Sequence, residues 1–352
     1  MEKVKAFLKR KNIVFSAKRY FIDAMSAMAQ GLFCSLLIGT IIKTLGQQLN
    51  LAFMVEMGGF ATAMAAPAMA VAIGYALQAP PLVLFSLAAV GQAANSMGGS
   101  GGPLAVFFIA IITAEIGKAI SKETKIDILV TPFVTIFCGV AISYAIAPPI
   151  GAVANAFGVL INHTTVLQPF WMGIAVSVLV GIALTLPISS AAICHTLGLV
   201  GLAGGAAVAG CCAQMVGFAV MSFRENRWGG IVSQGLGTSM LQMGNIVKNP
   251  RIWIPPTLAA AITGPIASCV FHFEMNGAAI SSGMGTCGMV GPIGIYTGWL
   301  DSIAAGTKTA ITGMDWLAMV LICFVLPAIL SIIFCNILRK MGWIKEGDLK
   351  LD

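Results

Sequence analysis

The chain has 352 residues, 58% of them hydrophobic and only 9% charged, with 20 Lys and Arg against 13 Asp and Glu for a formal net charge of +7. Its mean hydropathy is +0.93. A water-soluble domain carries about a quarter charged residues, so the composition excludes a soluble enzyme or binding module. The basic residues gather at the ends and in short gaps, as they do when charge is expelled from apolar spans, and they do not argue for nucleic acid.

Residues 1–22 set Val4, Phe7, Leu8 and Ile13 among Lys3, Lys5, Lys9, Arg10, Lys11, Lys18 and Arg19, the pattern of a basic amphipathic helix on a membrane surface. Charge runs throughout this stretch, unlike a cleavable signal peptide. Apolar segments follow at 24–45, 54–77, 81–95, 103–121, 128–148, 169–188, 201–222, 229–247, 253–273, 277–300 and 315–339. An all-α polytopic membrane protein of about ten transmembrane helices is expected. Residues 149–165, with Pro149, Asn155, Asn162 and His163, read as an interfacial connection. The stretches 81–102 and 277–300 are short and dense in Gly, the marks of re-entrant hairpins or broken helices. The expected parts are the N-terminal helix (1–22), a first membrane half (23–165), connecting transmembrane helices (166–222), a second half (223–340) and a cytoplasmic tail (341–352).

An internal repeat connects the halves. Gln30-Gly31-Leu32 with Ser35 matches Gln234-Gly235-Leu236 with Ser239, and Ala66-Pro67 matches Gly264-Pro265. The run Ser96 to Gly101, then Pro103, matches Gly283 to Gly288, then Pro292; Asp127 matches Asp315. Two crossings within 166–222 make the repeat inverted with both termini cytoplasmic, leaving Lys43, Arg224, Arg227 and Lys308 as the basic residues outside. One or three crossings, a parallel repeat, would instead put seven basic residues outside, Arg339, Lys340, Lys345 and Lys350 among them, so the positive-inside bias prefers the inverted arrangement.

Backbone that leaves a helix inside a bilayer must line a cavity, where free N–H and C=O groups meet a polar solute. The candidate binding residues are therefore Asn95, Ser96 and Ser100 in one Gly-rich segment and Asn276, Ser281, Ser282 and Thr286 in the other. Ionisable groups at membrane depth are costly and usually functional, which adds Glu56 and Glu274, the latter beside His272, while Glu115 pairs with Lys118. His195 interrupts an apolar stretch, and Gln242 and Asn245 form a polar stripe that either lines the path or bonds between helices. Nine cysteines sit in apolar or small-residue stretches without metal or redox spacing. No catalytic motif, metal site or cofactor is expected.

The run Glu225-Asn226-Arg227-Trp228-Gly229-Gly230, then Gln234-Gly235-Leu236-Gly237-Thr238-Ser239, Asn249-Pro250, Asn276-Gly277, Gly283-Met284-Gly285-Thr286 and Gly291-Pro292-Ile293-Gly294 resembles the IIC-type membrane proteins of the bacterial phosphotransferase system. More narrowly it is similar to the branch that includes the perfringolysin regulator PfoR. The likeness covers nearly the whole chain, with 225–294 its most specific part. It implies a homodimeric, multi-pass protein of the bacterial inner membrane, working by alternating access on a small polar solute such as a sugar, alongside separate IIA and IIB phosphocarriers. In sugar-transporting relatives a Glu precedes the Pro-Ile of the second hairpin; here that residue is Gly291. A membrane sensor or regulator on the same fold, without flux, is the alternative reading, and an anion or ion channel, marked by single-channel current, is a third.

Overall fold

The computed structural model describes residues 2–351 and is all-helical; among the described residues no strand forms, and the isolated extended pairing joins Gly201 to Met275. Among the described residues, six stretches are long and apolar enough to cross a membrane: Arg19–Gln48, Pro81–Ile120, Asp127–Thr165, Gly201–Met221, Pro250–Val270 and Gly313–Lys340. The helices Ala52–Ala63 and Ala65–Ala76, bent by 44°, make a seventh when counted as one. The chain falls into two compact units, Met1–Val153 and Ala154–Asp352.

Within the first unit, Pro81–Ile120 covers 40 residues, about twice what one crossing needs. It is folded as a hairpin. The helix Pro81–Gly98 opens on a proline and ends at Gly99, whose φ of +52° only glycine adopts without strain. The short turn Gly99–Gly101 then leads into Gly102–Ile120, which runs back alongside: Gly117 packs on Val83, and Gly102 on Asn95. Small residues allow this approach. At the start of the chain, Glu2–Arg10 is tied to the loop after the hairpin by Glu123, which pairs with Lys11 and, at 2.7 Å, with Arg10. Lys118, 1% exposed, pairs with Glu115 at 2.8 Å and donates to the Leu77 carbonyl at 3.1 Å. Residues 149–165 do not form a separate connection; Asp127–Thr165 is one helix, its interior prolines included.

The second unit is built around Gly201–Met221, whose window is 94% buried. Pro169–Thr185 and Ile254–Pro265 pack against it and each other through Gly210 on the Ser177 carbonyl and Gly264 on Gly173. Ser177 Oγ donates to the Ala260 carbonyl at 2.8 Å.

The apolar segment 229–247, expected to be a span, returns to the end it started from. Asn226 donates to the Leu349 carbonyl at 2.8 Å, and Asn249 donates to the Trp343 carbonyl at 2.9 Å, so both ends of the segment meet the C-terminal tail. Between them the backbone breaks at Arg227 (φ 51°, ψ −146°) and passes through a π-turn at Ser233–Gly237 and a 3₁₀ turn at Ser239–Gln242. Its five glycines and three amide side chains explain the failure to cross as a plain helix. One consequence corrects the expected charge placement. Glu225 pairs with Arg339 at 2.7 Å, so Arg224 and its neighbours share a membrane face with the C-terminal basic residues.

Candidate functional site

The second unit holds a polar cavity of about 240 Å³. One wall is the extended segment Phe271–Asn276, set in place by two backbone bonds between Gly201 and Met275, at 2.9 and 3.0 Å. Gly205 makes this possible, since a Cβ there would overlap the Phe273 carbonyl. The opposite wall comes from the end of Val290–Ala304 and the start of Gly313–Val320 with the exposed stretch between them, and supplies Trp299, Ser302, Thr307, Lys308 and Asp315.

The two carboxylates are not equivalent. Asp315 is fully engaged: Oδ1 accepts from Lys308 Nζ at 2.8 Å, while Oδ2 accepts from the Thr312 backbone N–H at 2.7 Å and from its hydroxyl at 2.8 Å, closing a capping box. Glu274 is exposed and accepts only from Asn276 Nδ2, at 2.9 Å on Oε2, among the described residues. Its second oxygen is available to a solute hydroxyl. Lys308 has further N–H donors beyond the one given to Asp315 and stands 5.8 Å from the centre of the Trp299 ring. Trp299 is held edge-on by Trp316 at 5.6 Å. A carboxylate acceptor, an amide, an ammonium and hydroxyl donors around an indole are what a small polyhydroxylated solute requires.

Of the candidates read from sequence, Glu274 and Asn276 line this cavity. The other polar residues of the second Gly-rich segment are buried and serve the backbone: Ser282 donates to the Leu199 carbonyl at 2.6 Å and Thr286 to the Gly235 carbonyl, while Ser281 is packed against Gly294. Gln242 and Asn245 belong to an amide ladder. Gln242 Nε2 donates to Gln234 Oε1 at 2.8 Å and to the Leu349 carbonyl at 3.0 Å; Asn245 Nδ2 donates to Gln242 Oε1 and to the Lys350 carbonyl, each at 2.8 Å. His195 is exposed at the end of Ser190–Thr196, away from the cavity lining. In the first unit, Asn95 is half-buried against Gly102, Ser96 is exposed and Ser100 sits in the hairpin turn. Glu56 is exposed on Ala52–Ala63 beside Phe53, Met57 and Phe60, which are also exposed.

The family model described as phosphotransferase system, EIIC matches residues 22–351. The chain belongs to this family. No curated protein and no solved structure matches it. Family membership and the apolar helices together make it an integral membrane protein, an EIIC-type component of the phosphotransferase system. At the position where the resemblance leads one to look for a Glu, Gly291 lies so close to the Gly285 backbone that a Cβ would collide with its carbonyl. No side chain fits there. Two carboxylates, Glu274 and Asp315, do face the polar cavity. Sequence reasoning missed Trp299, Lys308 and Asp315 as site residues. Asp315 carried one signal, its match to Asp127 ahead of a span; Trp299 carried none, being one aromatic in an apolar run.

Proposed function

We propose that this EIIC component moves a small polar solute, a sugar in particular, by alternating access, and that the solute is held between Glu274, Asn276, Lys308 and Trp299. The observation that carries the reading is the open oxygen of Glu274 facing an ammonium and an indole in one cavity of about 240 Å³, below the size range of drug-sized sites. Glu274 takes over the carboxylate role that Gly291 leaves empty, while Asp315 holds Lys308 in place.

The proposed architecture is about ten membrane helices with re-entrant hairpins in an inverted repeat, assembled as a homodimer. The repeat is supported by like features at matched places, 3₁₀ turns at Gly99–Gly101 and Cys287–Met289, each leading into a helix. Both termini are proposed to face the cytoplasm of a bacterium. With 229–247 turning back, this placement takes an odd number of crossings within 166–222, and it puts Arg224, Arg339 and Lys340 together on the basic, cytoplasmic face. Separate IIA and IIB proteins are the proposed phosphate donors, and the PfoR-containing branch is the proposed subgroup. The test is binding and flux by the purified chain in proteoliposomes across a panel of monosaccharides and disaccharides. One sugar is expected to bind, with Glu274→Gln weakening it about tenfold or more, the worth of a hydrogen bond to a charged group. Indifference to every solute, or no change in Glu274→Gln, would defeat the proposal, and a partner captured without flux would turn it to the sensor reading.

A further inference from the structure

A second, open pocket of about 500 Å³ lies at the end of the last membrane helix, lined by Arg224, Asn336, Arg339 and Lys340. Three cations meet there. Arg339 is half-buried and engaged, with a guanidinium nitrogen 2.7 Å from Glu225 Oε1. Arg224 and Lys340 are exposed, and neither has a carboxylate partner among the described residues. Against Glu225 alone the pocket therefore keeps an excess of positive charge, with the Asn336 amide as a neutral donor. Like charges held together on a surface repel unless an anion joins them.

The surroundings identify the anion. Arg339 and Lys340 form the last turn of Leu326–Lys340, which closes the candidate span Gly313–Lys340, so the pocket sits where the apolar helix meets the polar interface. Trp228, on the same segment as Arg224, is 73% exposed, as a tryptophan at headgroup level is. Below the pocket, Ile333 and Ile329 share a helix face with Lys340 and Asn336, at spacings of three and four residues; they are 47% and 50% exposed. From Lys340 to Ile329 this stripe is about 16 Å long at 1.5 Å per residue, about half of a ~30 Å hydrocarbon core.

We propose that this pocket binds the phosphate of an anionic phospholipid, with one acyl chain lying along Ile333 and Ile329 for the depth of one leaflet. The site is separate from the solute cavity and does not depend on the proposed function. A free phosphate shares the headgroup chemistry but has no use for the apolar stripe, so the two sources separate by experiment. The full chain, purified in neutral detergent, is melted with added phosphatidylglycerol, phosphatidylcholine or inorganic phosphate at equal concentration. Phosphatidylglycerol alone is expected to raise the melting temperature. Removing both unpaired charges, Arg224→Gln with Lys340→Gln, is expected to weaken that lipid about 30-fold, taking each cation near an anionic surface at its usual worth. The exposed single variant Lys340→Gln guards against a folding defect and is expected to show part of the loss at an unchanged melting temperature without lipid. A shift given equally by phosphatidylcholine, or by inorganic phosphate, or one that persists in the double variant, would overturn the proposal.

Discussion

Replacing Gln242 by leucine separates a structural amide from a solute-binding one. Gln242 is fully buried and makes three hydrogen bonds, to Gln234 Oε1, to the Leu349 carbonyl and from Asn245 Nδ2. The Leu349 carbonyl keeps Asn226 as a donor, and Asn245 keeps the Lys350 carbonyl as an acceptor. Gln234 Oε1 keeps nothing among the described residues. The loss is then one orphaned buried acceptor, at about 1–3 kcal/mol, plus two ordinary bonds whose net worth is about 0.5–1.5 kcal/mol each. With part of this recovered by the apolar side chain, about 2–4 kcal/mol of destabilisation is expected. For a unit of this size each kcal/mol shifts the melting temperature by about 2–4 °C, so a fall of about 5–15 °C should appear in a thermal melt of the purified protein. Solute affinity of the fraction that remains folded should be unchanged. A melting temperature within a degree of the parent, together with lost solute binding, would refute the reasoning and return Gln242 to the solute path.

Restoring the carboxylate that sugar-transporting relatives carry, by Gly291→Glu, is expected to lower the yield of folded protein and not to improve sugar binding, because the Gly285 carbonyl occupies the space of the new Cβ; tighter binding at normal yield would contradict this. At the N-terminus, the hydrogen bond from Lys11, together with the charges of Arg10 and Lys11, holds the Glu123 carboxyl below its ordinary value against some desolvation. A carboxyl with a lowered folded value stabilises its contact above the ordinary carboxylate range and loses that contribution as pH falls through the lowered value. Amide exchange over Glu2–Arg10, corrected for intrinsic rates, should therefore show protection at neutral pH that fades below about pH 4, and Glu123→Gln should show the acidic behaviour at neutral pH. The pair is exposed, so the effect is small and confined to this helix; equal protection across that pH range and in the variant would exclude it.

What could be read in advance follows the range of the forces involved. The hairpin turn at Gly99–Gly101 is written in consecutive residues, Gly98 to Pro103, and glycines at helical spacing announced the close packing beside it. The segment 229–247 was misread because hydropathy measures how apolar a stretch is and carries no sign of whether it crosses or turns back. Its amides held the missing information. Gln234, Gln242 and Asn245 must find partners when buried, and Gln242 and Asn245 find theirs in the Leu349 and Lys350 carbonyls, more than a hundred residues later in the tail and beyond any local pattern. The cavity divides in the same way. Glu274 and Asn276 stood out as polar residues flanking a Gly-rich stretch, whereas Trp299, Lys308 and Asp315 acquire meaning only when the 271–276 segment is laid across them.

The hydroxyls of the second Gly-rich segment limit how a solute could reach Glu274. Ser190 donates to the Gly283 carbonyl at 2.7 Å, Ser282 to the Leu199 carbonyl at 2.6 Å, and Thr286 to the Gly235 carbonyl. These bonds join residues 281–286 to the start of the central helix, to the short Ser190–Thr196 helix and to the returning segment at Gly235. Opening the segment alone would orphan buried groups at about 1–3 kcal/mol each. A motion that carries all four pieces together leaves the bonds intact. Among the described residues the opposite wall has no such ties at its middle: Lys308 lies on the exposed stretch 305–312, held by Asp315 and its backbone bond to Ser302. On the proposed reading, the fixed wall therefore presents the carboxylate, and the Lys308 wall is the side on which access would change at low cost.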